Sequence, residues 1–302
     1  MANAQAYAGV ARAPFLLLPV TLVAAGAAAA AWDGAFSWPA TLLALVALVA
    51  LHIAVNALNE ASDMKSGIDL QTTRTPFSGG SGTIQTGAID VRSTVVFALL
   101  CAAVGGAIGV WFLLRIGLGF LPIMILGAVA VLAYTDFFAR AGIGELAAGL
   151  GLGALPVMGA AMVQGNGLGR AAIAAAIPAF FMTFNLLLLN EFPDQEADRQ
   201  GGRRNLVLIM GRPAAAKIYA AAAIATPLSI IASVVLRALP PLALIAVLPS
   251  ILLVKPVGWA LSSPEEPMPP IPALGSNVIW NLSTNALMAA GLVVALRFGL
   301  GR

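Results

Sequence analysis

The 302-residue chain is 60% hydrophobic and 10% charged, with a formal net charge of +3. A soluble domain carries roughly 25% charged residues, so this composition describes a polytopic, all-α membrane protein, and the small net charge gives no reason to expect nucleic acid as a partner. Alternating polar and apolar segments of about ten residues are absent, which argues against a transmembrane barrel, and the single cysteine, Cys101, excludes an intramolecular disulfide.

In chain order, Arg12 and the apolar stretch from Phe15 resemble a signal peptide. The stretch is long enough to span, however, and the rest of the chain is equally apolar. Apolar segments then predict about nine transmembrane helices, over 15–31, 39–58, 92–114, 119–138, 145–163, 171–189, 214–236, 239–259 and 279–298. They read as one domain over 1–302, with aspartate-rich halves at about 12–138 and 145–298. Pro39, Pro178 and Pro241 are expected near helix starts, where a missing N–H costs least. Cys101 is expected as a buried, inert thiol. His52, the one histidine, falls inside an apolar helix and is expected to be a satisfied interior side chain.

Charge sets the orientation. Eleven of the 16 Lys and Arg residues fall on the face of the N-terminus; Arg115, Arg170, Arg237, Arg297 and Arg302 fall on the other. The positive-inside rule makes the first face cytoplasmic, and the expected location is the plasma membrane. Of the 13 acids, Asp33 alone falls on the second face. The first face also holds the three longest connections, about 59–91, 190–213 and 260–278, where chemistry is usually placed.

Two acidic clusters lie there, each following a long apolar stretch. Asn56, Asn59, Glu60, Asp63 and Asp69 form the first; Asn190, Glu191, Asp194, Glu196 and Asp198 form the second. Both contain Asn-Glu-x-x-Asp. Acids at a membrane are costly and read by default as functional. If 56–63 continues the second helix, Asn59 and Asp63 share a face at i,i+4, as do Asp194 and Asp198. Pro193 predicts a break near Phe192. Such oxygen arrays suit Mg²⁺, which binds through one or two carboxylates plus phosphate oxygens, and no Cys/His cluster favours zinc or iron. Lys65, Arg74, Arg199, Arg203 and Arg204 come after the clusters and suit the remaining oxygens of a metal-bound diphosphate. The glycines of Thr75–Gly87 would let backbone N–H groups approach a phosphate, although a merely flexible loop fits equally well.

These residues resemble a known family. Asn56-x-x-Asn59-Glu60-x-x-Asp63-x-x-x-Gly67-x-Asp69 is similar to the first aspartate-rich motif of the UbiA superfamily of intramembrane prenyltransferases. Asn190-Glu191-Phe192-Pro193-Asp194-x-Glu196-x-Asp198-Arg199, with Gly202-Arg203-Arg204, is similar to the second. Arg12-x-Pro14, Tyr134-Thr135, Gly142-Ile143-Gly144-Glu145-Leu146 and Leu155-Pro156-Val157-x-Gly159 resemble the branch that prenylates 1,4-dihydroxy-2-naphthoate in menaquinone synthesis. Many members read Asn-Asp where this chain reads Asn59-Glu60; Glu60 keeps the charge and adds a methylene, which bears on metal geometry.

The resemblance implies a helical bundle around a central cavity, opening sideways to lipid. It implies Mg²⁺ held by Asn59, Asp63, Asp194 and Asp198 on the diphosphate of a polyprenyl donor. Lys65, Arg74, Arg203 and Arg204 would contact phosphate. Asp69, Glu191 and Tyr134 would serve the reaction, and Asn56, Glu60 and Asp69 would meet an aromatic quinone precursor. Two other readings stay open: a terpene cyclase using the same motifs without an acceptor and, more remotely, an ion or phosphate transporter. Acceptor identity, prenyl chain length and oligomeric state are not readable from the sequence.

Overall fold

The computed structural model describes residues 2–266 and 268–301; Arg302, assigned to the second face, lies outside them. Among the described residues there is no strand. Among these residues, nine helices are long and apolar enough to cross a membrane: α1 (Ala13–Trp32), α2 (Trp38–Ser66), α3 (Val91–Ile116), α4 (Leu118–Ala141), α5 (Gly144–Met162), α6 (Arg170–Gln200), α7 (Arg212–Val235), α8 (Pro241–Ser262) and α9 (Ile271–Phe298). The chain is a multi-pass membrane protein. A short helix, Ala4–Val10, precedes α1 and starts at the Asn3 side chain, which accepts from Ala6 N.

All nine expected spans are present, but three are longer than their apolar signal. α2 continues to Ser66 and α6 to Gln200, while α9 begins at Ile271. Both Asn-Glu-x-x-Asp motifs therefore ride on these helices and not on loops, while Asp69 follows Gly67 in a separate short helix, Ile68–Gln71. The expected break at Pro193 does not occur, since α6 contains both Pro178 and Pro193. Arg212 supports the turn beyond Pro193 by donating from Nη1 to Phe192 O at 2.8 Å and to Gln195 Oε1 at 3.2 Å. Pro178 is likewise interior; Pro39 does sit in the first turn of α2, and Pro241 opens α8.

At 1.5 Å per residue, helices of 29 and 31 residues exceed a hydrocarbon core of about 30 Å. Their C-terminal turns overhang it or tilt within it. The N-terminal ends of α2 and α6 both lie at the opposite face, each tied to a neighbouring connection. There Ser37 N donates to Gln164 Oε1 at 2.8 Å, and Asp33 caps α6 by accepting from Ala171 N at 3.1 Å. Burial raises the Asp33 pKa, and the hydrogen bonds from Ala171 and Ala172 oppose the shift. α2 and α6 thus run in the same direction toward one face.

Small side chains let these helices approach closely, as membrane bundles require. Ala28, Ala29 and Ala30 of α1 pack with Ala171, Ala172, Ala175 and Ala179 of α6, and with Ala243 and Ala246 of α8. Two helices carry local π turns, Tyr134–Phe138 in α4 and Gly149–Ala154 in α5. Such turns recur at functional sites, and Tyr134 lines the cavity between α2 and α6.

Candidate active site

The C-terminal turns of α2 and α6 face each other across a cavity lined by Asn56, Asn59 and Asp63 on one side and by Glu191, Asp194 and Asp198 on the other. Each trio has the spacing i, i+3, i+7, which places it on one helical face. The two ladders do not match as the repeated Asn-Glu-x-x-Asp suggests. Glu191 lines the cavity, whereas Glu60 lies outside it. In the structure Asp63 stands where Asp198 does, one turn beyond the pairing of Asp63 with Asp194.

Glu60 is spent on a different task. Its carboxylate is buried and accepts from Arg12 Nε at 2.8 Å, Ser81 N at 2.8 Å and Ser81 Oγ at 2.7 Å. This overturns its expected place beside the acceptor: Glu60 is rotated about 100° from Asn59 around α2, toward the 72–90 segment. That segment covers the cavity with Thr72, Phe77, Ser78, Gly79 and Gly80. From α6, Asn190 Nδ2 donates to Phe77 O at 3.3 Å, so the cover is tied to both motifs. Two of its turns need glycine. Gly67 ends α2 at φ +78°, and Gly80 has φ +73° with Asp69 Oδ1 2.6 Å from where a Cβ would stand. Replacing Glu60 with Ala should remove three charge-assisted hydrogen bonds, at about 1.5–3 kcal/mol each before relaxation. Amide exchange of residues 72–90 should then accelerate, and less so in Glu60→Gln. Unchanged protection with weakened diphosphate binding would instead put Glu60 in the cavity.

Of the four cations expected at phosphate, Arg203 alone lines the cavity. Lys65, Arg74 and Arg204 are exposed, and the expectation for them is corrected. Lys65 is two residues past Asp63 and so on the far side of α2; Arg74 folds over Gly82; Arg204 turns outward while its backbone N donates to Ala139 O at 2.9 Å. Arg203 pairs with Asp63, donates to Asn59 Oδ1 at 3.1 Å and has Nη1 3.5 Å from Asp198 Oδ1. It thereby joins the two ladders. Burial opposes its charge, but Asp63 and Asp198 outweigh that and hold its pKa above the ordinary value. Arg12 also lines the cavity; the sequence marked it only as part of Arg12-x-Pro14. Asn205, unmarked in the sequence, donates from Nδ2 to Asp198 Oδ2 at 2.9 Å and caps the next helical turn.

The remaining expected residues fall into place around this pair of ladders. Asp69 and Tyr134 line the cavity. Burial first, then the carboxylates of Asp63 and Glu60, push the Asp69 pKa up to about 7. Glu145, carried by a motif that received no role, is buried beside Glu191 and accepts from Leu206 N at 2.6 Å.

The donor set fits a hard cation. Asp69 Oδ2, Glu191 Oε2 and Asp194 Oδ1 are buried without a hydrogen-bond partner, and Asp198 Oδ1 has only its ion pair with Arg203; buried carboxylate oxygens are costly unless matched by charge or donors. Among the described residues no three acids or histidines converge as a ready-made metal cage. Mg²⁺ is bound through one or two carboxylates plus phosphate and water and does not require such a cage.

Below the acids lies a second, apolar cavity between α2, α3, α4 and α5, lined by Ala44, Leu51, Phe112, Gly106, Gly127 and Leu155 among others. Nothing comes within 4 Å of where a Cβ would stand on Gly106 or Gly127, so their missing side chains widen it. His52 and Leu152 line both cavities and mark the throat between them. His52 departs from the expectation of a satisfied interior ring. Its Nδ1 lies 3.0 Å from Leu48 O, but its Nε2 is buried with no partner. Cys101 is half-buried against the neighbouring core.

A model of the UbiA prenyltransferase family matches residues 17–296. The chain belongs to the UbiA prenyltransferase family. It is 27% identical over 254 residues to the 1,4-dihydroxy-2-naphthoate octaprenyltransferase of Bacillus subtilis, covering 81% of this chain and 78% of that one. It is 25% identical to the enzyme of the same name from Escherichia coli, over 73% of each chain. In fold it is similar to a UbiA homolog from Archaeoglobus fulgidus solved with DMAPP and Mg²⁺, with TM-score 0.65, 17% identity, and coverage of 95% of this chain and 99% of the other. As a UbiA enzyme it is a membrane prenyltransferase.

Proposed function

We propose that this UbiA protein transfers a polyprenyl group from its diphosphate to 1,4-dihydroxy-2-naphthoate or a similar aromatic quinone precursor, with Mg²⁺ as cofactor. The observation that carries this reading is the adjacency of a carboxylate-lined cavity and an apolar one, which share His52 and Leu152 in their walls. A prenyl diphosphate is built the same way, charged at one end and hydrocarbon at the other. The names of the curated relatives supply the acceptor, and the Mg²⁺ and DMAPP of the Archaeoglobus fulgidus homolog agree with the donor end.

In this reading Asn59, Asp63, Asp194 and Asp198 hold Mg²⁺, with Asp69 and Glu191 supporting through water or acceptor contacts. Bound there, Mg²⁺ supplies positive charge against the departing diphosphate. Arg203 and Arg12 add fixed cations at the same end, a preorganised field that needs no rearrangement as charge develops. The 72–90 segment shields the reacting carbon from water. The apolar walls below receive the prenyl chain, which either stays in the bundle or continues into lipid. The C1–O bond breaks with its electron pair going to diphosphate, which leaves an allylic cation; the electron-rich ring bonds C1, and the attacked ring carbon gives up its proton, or its carboxylate as CO2, to restore aromaticity. We place the N-terminus and acidic face in the cytoplasm of a plasma membrane, on the strength of the Lys and Arg distribution.

The test is a matrix of donors and acceptors with purified protein. Geranylgeranyl and longer diphosphates would be paired with dihydroxynaphthoate, hydroxybenzoate, homogentisate or no acceptor, following both diphosphate and lipid product. Prenylated naphthoate, lost in EDTA, is expected. A cyclic terpene formed without acceptor would replace transfer by cyclisation.

A further inference from the structure

His52 stands on the same face of α2 as the acid ladder, with Asn56 at i+4, Asn59 at i+7 and Asp63 at i+11. At 1.5 Å per residue it lies about 6 Å deeper than Asn56 and about 10 Å deeper than Asn59 along the helix axis. That is below the level of the diphosphate and at the mouth of the apolar cavity. The ring is buried, 6% exposed.

Its hydrogen-bond pattern is polarised. Leu48 O can only accept, so Nδ1 carries the proton, and in the neutral ring Nε2 is left as a bare acceptor. No protein group meets it. Asn56, the nearest amide on the same face, has committed its Nδ2 to Ala11 O at 2.9 Å. Leu152, Val55 and Leu187 offer the throat no donor. A buried acceptor facing a cavity asks for a ligand with a hydrogen to give. The prenyl chain has no N–H or O–H, and an ionised diphosphate has none. Of the two substrates, the hydroxylated ring alone carries donors.

We propose that His52 is a specificity-determining contact for the aromatic acceptor, with Nε2 accepting a hydrogen bond from one ring hydroxyl. This inference rests on the transferase reading. The hydroxyl keeps its proton; the contact fixes the ring between Asn56 and the throat and enriches it in electron density for attack on the prenyl carbon. It also ties acceptor choice to hydroxyl position, because Nδ1 is pinned to α2 and Nε2 is not free to swing.

The experiment compares 1,4-dihydroxy-2-naphthoate with 1-hydroxy- and 4-hydroxy-2-naphthoate in the full chain, with a fixed polyprenyl diphosphate and Mg²⁺, for wild type, His52→Gln and His52→Phe. Differences in intrinsic ring reactivity cancel when the ratios are compared between variants. Wild type should prefer the diol to one mono-hydroxy analogue by tenfold or more beyond the ratio seen in His52→Phe, the scale of one hydrogen bond to a buried partner. His52→Gln, whose amide oxygen accepts, should keep most of the preference. Because His52 also borders the prenyl chain's cavity, the KM for diphosphate is free to shift, but by less than the acceptor preference does in both variants. An unchanged preference in His52→Phe overturns the proposal, as does a loss expressed mainly in the diphosphate KM. Should His52→Phe fail to fold, His52→Leu takes its place, since it too lacks an acceptor. Diphosphate release by wild type with no aromatic product would instead overturn the transferase reading itself.

Discussion

Asp194→Asn is expected to lose roughly 100- to 1000-fold in kcat, the scale of removing one preorganised charge partner from a transition state, while its metal-free fold is no less stable than wild type. The two halves of that expectation have one cause. Asp194 Oδ1 is buried with no hydrogen-bond partner and lies close enough to Asp198 and Asp63 to feel their charge, and an amide of the same shape removes that repulsion among neighbouring acids. Asp63→Asn should lose a similar amount of activity but behave differently in thermal unfolding, because Asp63 pairs with Arg203 and accepts from Asn59. Steady-state rates across a Mg²⁺ series, beside unfolding curves in EDTA, separate the two. Full turnover in both variants would remove the ladder from the metal site.

Arg203→Leu is the second large effect. Arg203 and Arg12 are the Lys or Arg side chains lining the acidic cavity among the described residues, and Arg12 is already engaged by Glu60. Removing Arg203 leaves Asp63 and Asp198 buried without their cation, a loss of about 3–5 kcal/mol when one partner of a buried pair is deleted. A divalent ion can supply the missing charge. The variant should therefore unfold well below wild type in EDTA and recover much of the deficit in Mg²⁺, a larger Mg²⁺ response than wild type shows. Equal destabilisation under both conditions would mean that Arg203 packs the site and does not balance it.

Much of this was legible in the chain, for a definite reason. A membrane makes hydropathy an all-or-none signal, so nine spans stand out, and acids beside them stand out further. Hydropathy reports where the chain turns polar and not where its helix ends. It therefore stops α2 at 58 and α6 at 189, although the backbone continues helical to Ser66 and Gln200. Pro193 misled in the same way, because a brace from Arg212 is a long-range contact with no local signal. Helical rotation was the other hidden quantity. Glu60 and Glu191 occupy the same place in a repeated motif, yet one faces Arg12 and Ser81 and the other faces the cavity. The extra methylene of Glu60 consequently bears on how the cover is held, not on metal geometry. Lys65, Arg74 and Arg204 were near the acids in sequence, but proximity along a helix or loop does not say which way a side chain points.

Because α2 and α6 run in parallel, their C-terminal ends converge on one site. Each such end carries a fraction of a negative charge from its aligned peptide dipoles. The cavity thus sets two negative poles beside the carboxyl groups of Asp63, Asp69, Glu191, Asp194 and Asp198. A naked diphosphate approaching it meets like charge that Arg203 and Arg12 do not cancel. If the proposed donor is correct, metal-free prenyl diphosphate should therefore compete poorly for the site, and the anionic substrate should bind together with its cations or after them.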